Sequence, residues 1–138
     1  MDVKMMIVVR KDLHMRKGKI AAQAGHACVE AALMALAKEG RLADVTFSDG
    51  YAALPVTGTM TPLTEWFATG TAKVCVSVDS EEALLAVNEQ ARQAGLLTAV
   101  ITDAGLTEFH GEPTRTCLAI EPAEAERVDP ITGALMLY

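Results

Sequence analysis

Lys4 to Arg10, KMMIVVR, is a continuous apolar run rich in β-branched residues, the pattern of a strand covered on both faces. The loop Lys11 to Lys17 follows it. From Gly18, read as the N-cap, the period becomes helical to about Lys38. Ile20, Ala24, Ala27, Ala31 and Met34 recur at helical steps and mark a core-facing stripe, and Gly40 ends the helix. Gly40 to Thr64 has no sustained period and scatters Gly, Pro, Thr and Asp, so it is expected as an insertion outside the core. Thr64-Glu65-Trp66-Phe67 starts a short helical turn that sets the only Trp on the core. Ala72 to Val78 (AKVCVSV) is a second strand, and Asp79 with Glu82 forms an acidic capping pair for a helix over Glu81 to Ala94, closed by Gly95. Leu97 to Ile101 and Thr116 to Ile120 supply two more strands. Pro122 opens a short acidic segment, Asp129-Pro130 makes a turn, and Leu135 to Tyr138 ends extended. The order strand, helix, strand, helix, strand, strand predicts a three-layer α/β/α sandwich with a four-stranded mixed β-sheet. The first helix starts at the carboxyl end of the first strand, where open α/β sheets place their ligands.

Length and composition narrow this picture. The chain has 138 residues, 51% of them hydrophobic, which suits one domain over 1–138 with an insertion at about 40–64. Aromatics are only 4%, so the core must be built from Ala, Val, Leu, Ile and Met. No apolar stretch approaches the ~20 residues of a bilayer span and the N-terminus lacks a signal pattern, so a cytoplasmic protein with no membrane partner is expected. Cys28, Cys75 and Cys117 lack C-x-x-C spacing and lie among apolar neighbours, as buried reduced thiols do.

The net charge of −6 argues against a nucleic-acid partner, but its distribution argues for one. Residues 1–19 carry six Lys/Arg against two Asp, a balance of +4, whereas the remainder carries six against sixteen, a balance of −10. A basic patch on an acidic body suits a polyanion held locally; solvated surface cations are the bland alternative. Arg16-Lys17-Gly18-Lys19 crowds cations at a helix N-terminus, where the dipole favours acids and each misplaced charge costs ~0.3–1 kcal/mol. Free N–H groups and lysines together make a phosphate or carboxylate site.

Lys19, Gln23 and His26, at i, i+4 and i+7, share a stripe beside the apolar face and can line a groove or merely border the core. The segment Thr102-Asp103-Ala104-Gly105-Leu106-Thr107-Glu108 leaves the third strand at its carboxyl end. If that strand runs parallel to the first, Asp103 faces the Lys17 and Lys19 ammoniums, which favours its ionised form; otherwise the segment is a plain turn. His14 and His110 are isolated, and no spacing makes a metal site. No G-x-S-x-G elbow, P-loop or Rossmann fingerprint occurs. A water-based reaction beside bound phosphate is the chemistry left.

At these residues the chain resembles the type 2 peptidyl-tRNA hydrolases. Met5-Met6-Ile7-Val8-Val9-Arg10-Lys11-Asp12-Leu13-x-Met15-x-Lys17-Gly18-Lys19-Ile20-Ala21-Ala22-Gln23-x-x-His26-Ala27 is similar to that family's N-terminal signature. Thr102-Asp103-Ala104-Gly105-x-Thr107-Glu108 is similar to its second motif, and Leu118-Ala119-Ile120 with Thr132-Gly133-x-Leu135 to its C-terminal part. The resemblance covers residues 4–38 and about 66–138. It implies a four-stranded mixed sheet between helices, frequent homodimers, no metal or organic cofactor, and hydrolysis of the ester joining a peptide to the tRNA 3′ end. Carried over by position, Lys17, Lys19, Gln23, His26, Asp103 and Thr107 fall on the family's site; Lys17, Lys19, Asp103 and Thr107 are expected at the chemistry, and Arg16, Gln23 and His26 at substrate binding. The chain departs from the pattern at Ala24-Gly25, where a Cys-Ser or similar pair is usual, at Thr71, at Glu121, and in the length of 40–64. A catalytically silent module that binds a tRNA end or small anion on the same rim is the rival reading.

Overall fold

In a computed structural model describing residues 1–138, β1 (Val3–Arg10) lies inside a sheet of order β4-β1-β6-β5. Strand β4 (Lys73–Val78) is parallel to β1, while β6 (Thr114–Ile120) is antiparallel both to β1 and to β5 (Thr98–Asp103). Three strands therefore point one way, and the carboxyl ends of β1, β4 and β5 share one rim. A two-residue strand β7 (Ala123–Glu124) pairs with Val3 and Lys4, adding a fifth member to the predicted four.

The two faces of β1 explain its unbroken apolar run. Met5, Ile7 and Val9 join Cys117, Ala119 and Ala99 against α1 (Lys17–Lys38), with Leu63 and Trp66 of α2 (Pro62–Ala68) in the same cluster. Met6 and Val8 turn to the other side, meeting Val76, Val78, Leu118 and Ile120 against Leu84, Val87 and Ala91 of α3 (Glu81–Gln93) and Val128 of α4 (Ala125–Thr132). Burying residues of both parities is what a sheet between two helical layers requires. Trp66 is buried as expected, and its indole N–H donates to the Ala72 carbonyl at 2.8 Å.

Several local expectations are corrected. Helix α1 starts at Lys17 with Arg16, not Gly18, as its N-cap. Its buried face runs through Gln23, Ala27, Ala31 and Ala35, and Met34 is 40% exposed, because the true stripe turns away from the position that step counting chose. By length and composition α1 is apolar enough to cross a membrane, contrary to the reading that no stretch qualifies. In this fold it lies along the sheet instead. Helix α3 is capped by the Ser80 hydroxyl, which accepts from the Ala83 N–H at 3.0 Å, while Asp79 pairs with Lys11. Asp129-Pro130 lies inside α4 rather than making a turn. One proline in the last turn of an eight-residue helix removes a single hydrogen bond, and burial of Val128 and Thr132 holds the helix regardless.

Residues 40–64 hold a 3-10 turn at Leu42–Asp44 and a hairpin of β2 (Thr46–Ser48) and β3 (Tyr51–Ala53). The hairpin is largely exposed, yet Leu54 and Leu63 are in the core, so only part of the segment lies outside it. The C-terminus runs extended along β4, with the Ser77 N–H donating to Met136 and the Tyr138 N–H to Cys75.

Candidate active site

The rim at the ends of β1 and β5 gathers the polar residues. Lys19 Nζ, in the first turn of α1, donates to Asp103 Oδ1 at 2.7 Å and to Thr107 Oγ1 at 2.8 Å. Asp103 is the last residue of β5, and Thr107 lies in the loop after it. Gln23 Nε2, one turn further along α1, stands 3.4 Å from the same Oδ1, and the Gly105 N–H donates to Asp103 Oδ2 at 2.9 Å. Asp103 thus accepts from three donors. The Lys19 hydrogen bond, followed by the Gly105 N–H, holds its carboxyl below the usual carboxylate range. The two side chains are 15% and 13% exposed, so the pair is sheltered without being sealed from water.

Second-layer residues hold these groups in place. Thr116, fully buried on β6, donates its hydroxyl to Gln23 Oε1 at 2.6 Å, which leaves the Gln23 amide N–H free to point at Asp103. The Phe109 ring lies 5.8 Å from Lys19 Nζ. Gly105 has φ +84°, and a Cβ there would meet the Glu112 carbonyl oxygen at 2.3 Å, so only glycine closes this loop. Sequence reasoning passed over Thr116, Phe109 and the Gly105 N–H. A polar Thr opening the apolar TCLAI strand was the one available signal.

Lys17 does not reach Asp103. Two residues on a helix are about 200° apart around the axis, so Lys17 and Lys19 leave α1 on opposite sides. Lys17 is exposed, and Arg16, 91% exposed, approaches Glu108 Oε1 at 3.8 Å. His26 is exposed beside Gln23 on the predicted stripe, lining a groove with Glu30, Asp103 and Val100. Arg16 offers no side-chain cap and the first turn contains no acid, so the helix end keeps its unmatched positive potential.

The N-terminal cations are more dispersed than their clustering in sequence suggested. Lys4 pairs with Asp129 at 2.8 Å, Arg10 with Asp12 at 2.8 Å, and Lys11 with Asp79 at 3.5 Å. Lys4 and Arg10 also sit ~20 Å apart along β1. Arg16, Lys17 and Lys19 remain at the helix end. Burial raises the thiols, Cys117 to about 11, as buried reduced cysteines require.

Of three departures from the family pattern, the structure gives a side-chain role to one, Glu121. A Cβ at Gly25 would meet nothing within 4 Å, so packing does not demand glycine there. Glu121 accepts from the Leu97 N–H at 2.6 Å and from Lys38 at 3.4 Å, fastening the start of β5 to the end of α1. Thr71 holds φ +54°, with the Lys73 ammonium on its carbonyl at 2.6 Å.

The chain is similar to known proteins over its whole length. The family model described as peptidyl-tRNA hydrolase PTH2 matches residues 3–138. The peptidyl-tRNA hydrolase of Pyrobaculum aerophilum is 40% identical, over 100% of this chain and 99% of its own length. That of Methanocaldococcus jannaschii is also 40% identical, over 98% and 99%. The probable peptidyl-tRNA hydrolase 2 of Drosophila melanogaster is 39% identical over 99% of this chain and 62% of its own length. A solved structure of a protein of unknown function from Agrobacterium superposes with TM-score 0.59 at 14% identity, over 100% of this chain and 98% of that one, a likeness of fold alone. Matched from Val3 to Tyr138, and this close to curated relatives along its full length, the chain belongs to the PTH2 family of peptidyl-tRNA hydrolases.

Proposed function

We propose that the reacting centre of this peptidyl-tRNA hydrolase is the Lys19–Asp103–Thr107 cluster, with Arg16, Lys17 and the open end of α1 holding tRNA phosphate. The observation that carries this reading is the Lys19 ammonium, fixed by two acceptors at 2.7 and 2.8 Å on the rim where three strands end. The ester carbonyl lies against Lys19, which stabilises the oxyanion formed as water adds; one such donor contributes ~2.7–4 kcal/mol. Water supplies the oxygen of the new carboxyl group, the bond from the carbonyl carbon to the ribose oxygen breaks, and a water proton ends on that ribose oxygen. A carboxyl with a lowered pKa is a weak general base. Asp103 therefore holds Lys19 and orients the water rather than taking its proton fully. Gln23 and Thr107 fix the donors around it, and His26 contacts substrate beyond them.

Single-turnover hydrolysis of an N-acetyl-aminoacyl-tRNA tests this. Lys19→Ala should lose ~100-fold or more in rate. Retained turnover would remove Lys19 from the centre, and tRNA binding by the wild type without turnover would favour the silent module.

The chain works as one domain, with the exposed hairpin of the 40–64 insertion as its appendage, in the cytoplasm and as a homodimer. The homodimer is supported by the outer side of α1, where Val29 and Leu33 are 57% and 45% exposed beside Ala22 and Gly25. Sedimentation equilibrium at twice the monomer mass would bear it out; a monomer at tens of micromolar would refute it.

A further inference from the structure

The free edge of β5 borders the Lys19–Asp103 pair, and no other strand covers it. The groove beside it has a volume of ≈ 520 Å³, within the ~300–1,000 Å³ of ligand clefts, and runs between Gln23, His26 and Glu30 of α1 and Val100 to Asp103 of β5. It is continuous with the proposed centre, because Asp103 belongs to both.

The register decides which main-chain groups face this groove. The Glu121 N–H donates to the Leu97 carbonyl at 2.9 Å, and the pairing continues through Thr98↔Ile120, Ala99↔Ala119, Val100↔Leu118 and Ile101↔Cys117. In an antiparallel ladder alternate residues direct both their groups at the partner strand. Leu97, Ala99 and Ile101 therefore face β6, and Val100 turns its N–H and C=O outward. An outward pair on a free edge is a template for an added strand.

Charge separates the two halves of the substrate. The groove is lined by Glu30 and Asp103 and by no Lys or Arg, and with Asp103 neutralised by Lys19 at 2.7 Å the carboxylate of Glu30 is its one charge without a cation partner. Arg16 and Lys17 lie outside it at the end of α1, Lys17 on the side away from Lys19 and Arg16 beside Glu108 of the loop after β5. Phosphates are thus drawn to the helix end and repelled from the groove, which leaves the groove to the uncharged peptide main chain.

We infer that the peptide of peptidyl-tRNA lies in this groove as a strand added to the free edge of β5, recognised by its main chain. This rests on the hydrolase reading. The ester is at the peptide's carboxyl end and must reach Lys19 beside Asp103, the last residue of β5, so the added strand runs parallel to β5. From Thr98 to Asp103 the edge spans ~16 Å, enough for about four residues. Main-chain pairing also suits a substrate whose peptide sequence varies, because each residue presents the same N–H and C=O.

The test compares N-acetyl-Phe-tRNA with N-acetyl-Ala-Ala-Phe-tRNA, the latter also with single N-methylated amides and with Ser or Val replacing Ala. The tripeptide should be hydrolysed with kcat/KM about tenfold higher. N-methylation at one position should remove ~3- to 10-fold, the scale of one main-chain hydrogen bond, while the side-chain changes leave the rate alone. Val100→Pro deletes the outward N–H without touching a bond to β6 and should collapse the ratio of long to short substrate towards one; if that variant fails to fold, the N-methyl series on the wild type decides. Equal rates for all substrates would overturn strand addition while leaving the hydrolase intact. A length gain that follows side-chain hydrophobicity instead of the amides would overturn it as well. Hydrolysis of none would sink the activity and this inference with it.

Discussion

Asp103→Asn isolates the charge at the proposed centre with almost no change of shape. The carboxylate accepts Lys19 and Gln23 on one oxygen and the Gly105 N–H on the other. An amide offers one acceptor only, so its NH2 must face either the ammonium or the Gly105 N–H, and one donor loses its partner. Hydrogen bonds to charged groups contribute ~1.5–3 kcal/mol, and an orphaned sheltered donor costs ~1–3 kcal/mol, so a destabilisation of about 2 kcal/mol is expected. In a domain of this size that is a fall of roughly 8 °C in Tm. With its anchor lost Lys19 samples other rotamers, and single-turnover hydrolysis should fall about 100-fold, equivalent to ~2.7 kcal/mol. Binding of tRNA should hold or tighten, because a negative charge near the phosphate site has gone. The sign of the pH dependence follows from the depressed pKa of Asp103. Its stabilising contribution is complete above the unfolded value of ~3.9 and is lost as pH falls through the lower folded value. The stability gap between wild type and variant should therefore stay constant above about pH 5 and close as the pH drops below ~4. Thermal melts over pH 3–7, filter binding and single-turnover kinetics measure the three quantities. Parallel losses of binding and turnover, or a gap that widens in acid, would refute the argument.

Arg16→Ala and Lys17→Ala should each weaken tRNA binding and reduce its log–log salt slope by ~0.7–0.9, whereas Lys38→Ala, ~29 Å along α1 from Lys19, should leave the slope alone; equal slopes in all three would remove the helix end as the phosphate site. Gly105→Ala places a Cβ 2.3 Å from the Glu112 carbonyl at φ +84° and should cost ~2–3 kcal/mol while dislodging Asp103; a normal melt with normal turnover would contradict that. Replacing Thr46–Ala53 by a short Gly/Ser linker should change Tm by a few degrees at most. Replacing all of 40–64 removes the buried Leu54 and Leu63 and should cost ~3–6 kcal/mol; equal melts for the two deletions would refute their placement in the core.

The layered fold was legible because its signals are local. The KMMIVVR run declared a strand covered on both faces, the alanine-rich stretch a helix, and the cations before it an uncompensated helix end. Asp103 was legible as an acid closing a strand and through the Thr102-Asp103-Ala104-Gly105 motif, but its meeting with Lys19 hung on β5 running parallel to β1, which the sequence left open and the pairing of both strands with β6 decided. The hairpin over 46–53 was not, because it lies on the surface with little of the apolar alternation that burial imposes. Proline at 130 signalled a turn, and only the packing of Val128 and Thr132 against the rest of the molecule outweighed it. The choice of Lys19 over Lys17 depends on which side of α1 the sheet covers, and the dispersal of the N-terminal cations depends on acids as distant in sequence as Asp129. Lys19 and Asp103 are 84 positions apart, as Gln23 and Thr116 are 93. Periodicity is written by neighbours within a turn or a strand and survives in the sequence by itself. Pairings across the sheet, and the edge of β5 left open beside them, exist only once the strand order has been chosen, and that order is set by the burial of both faces of β1 together.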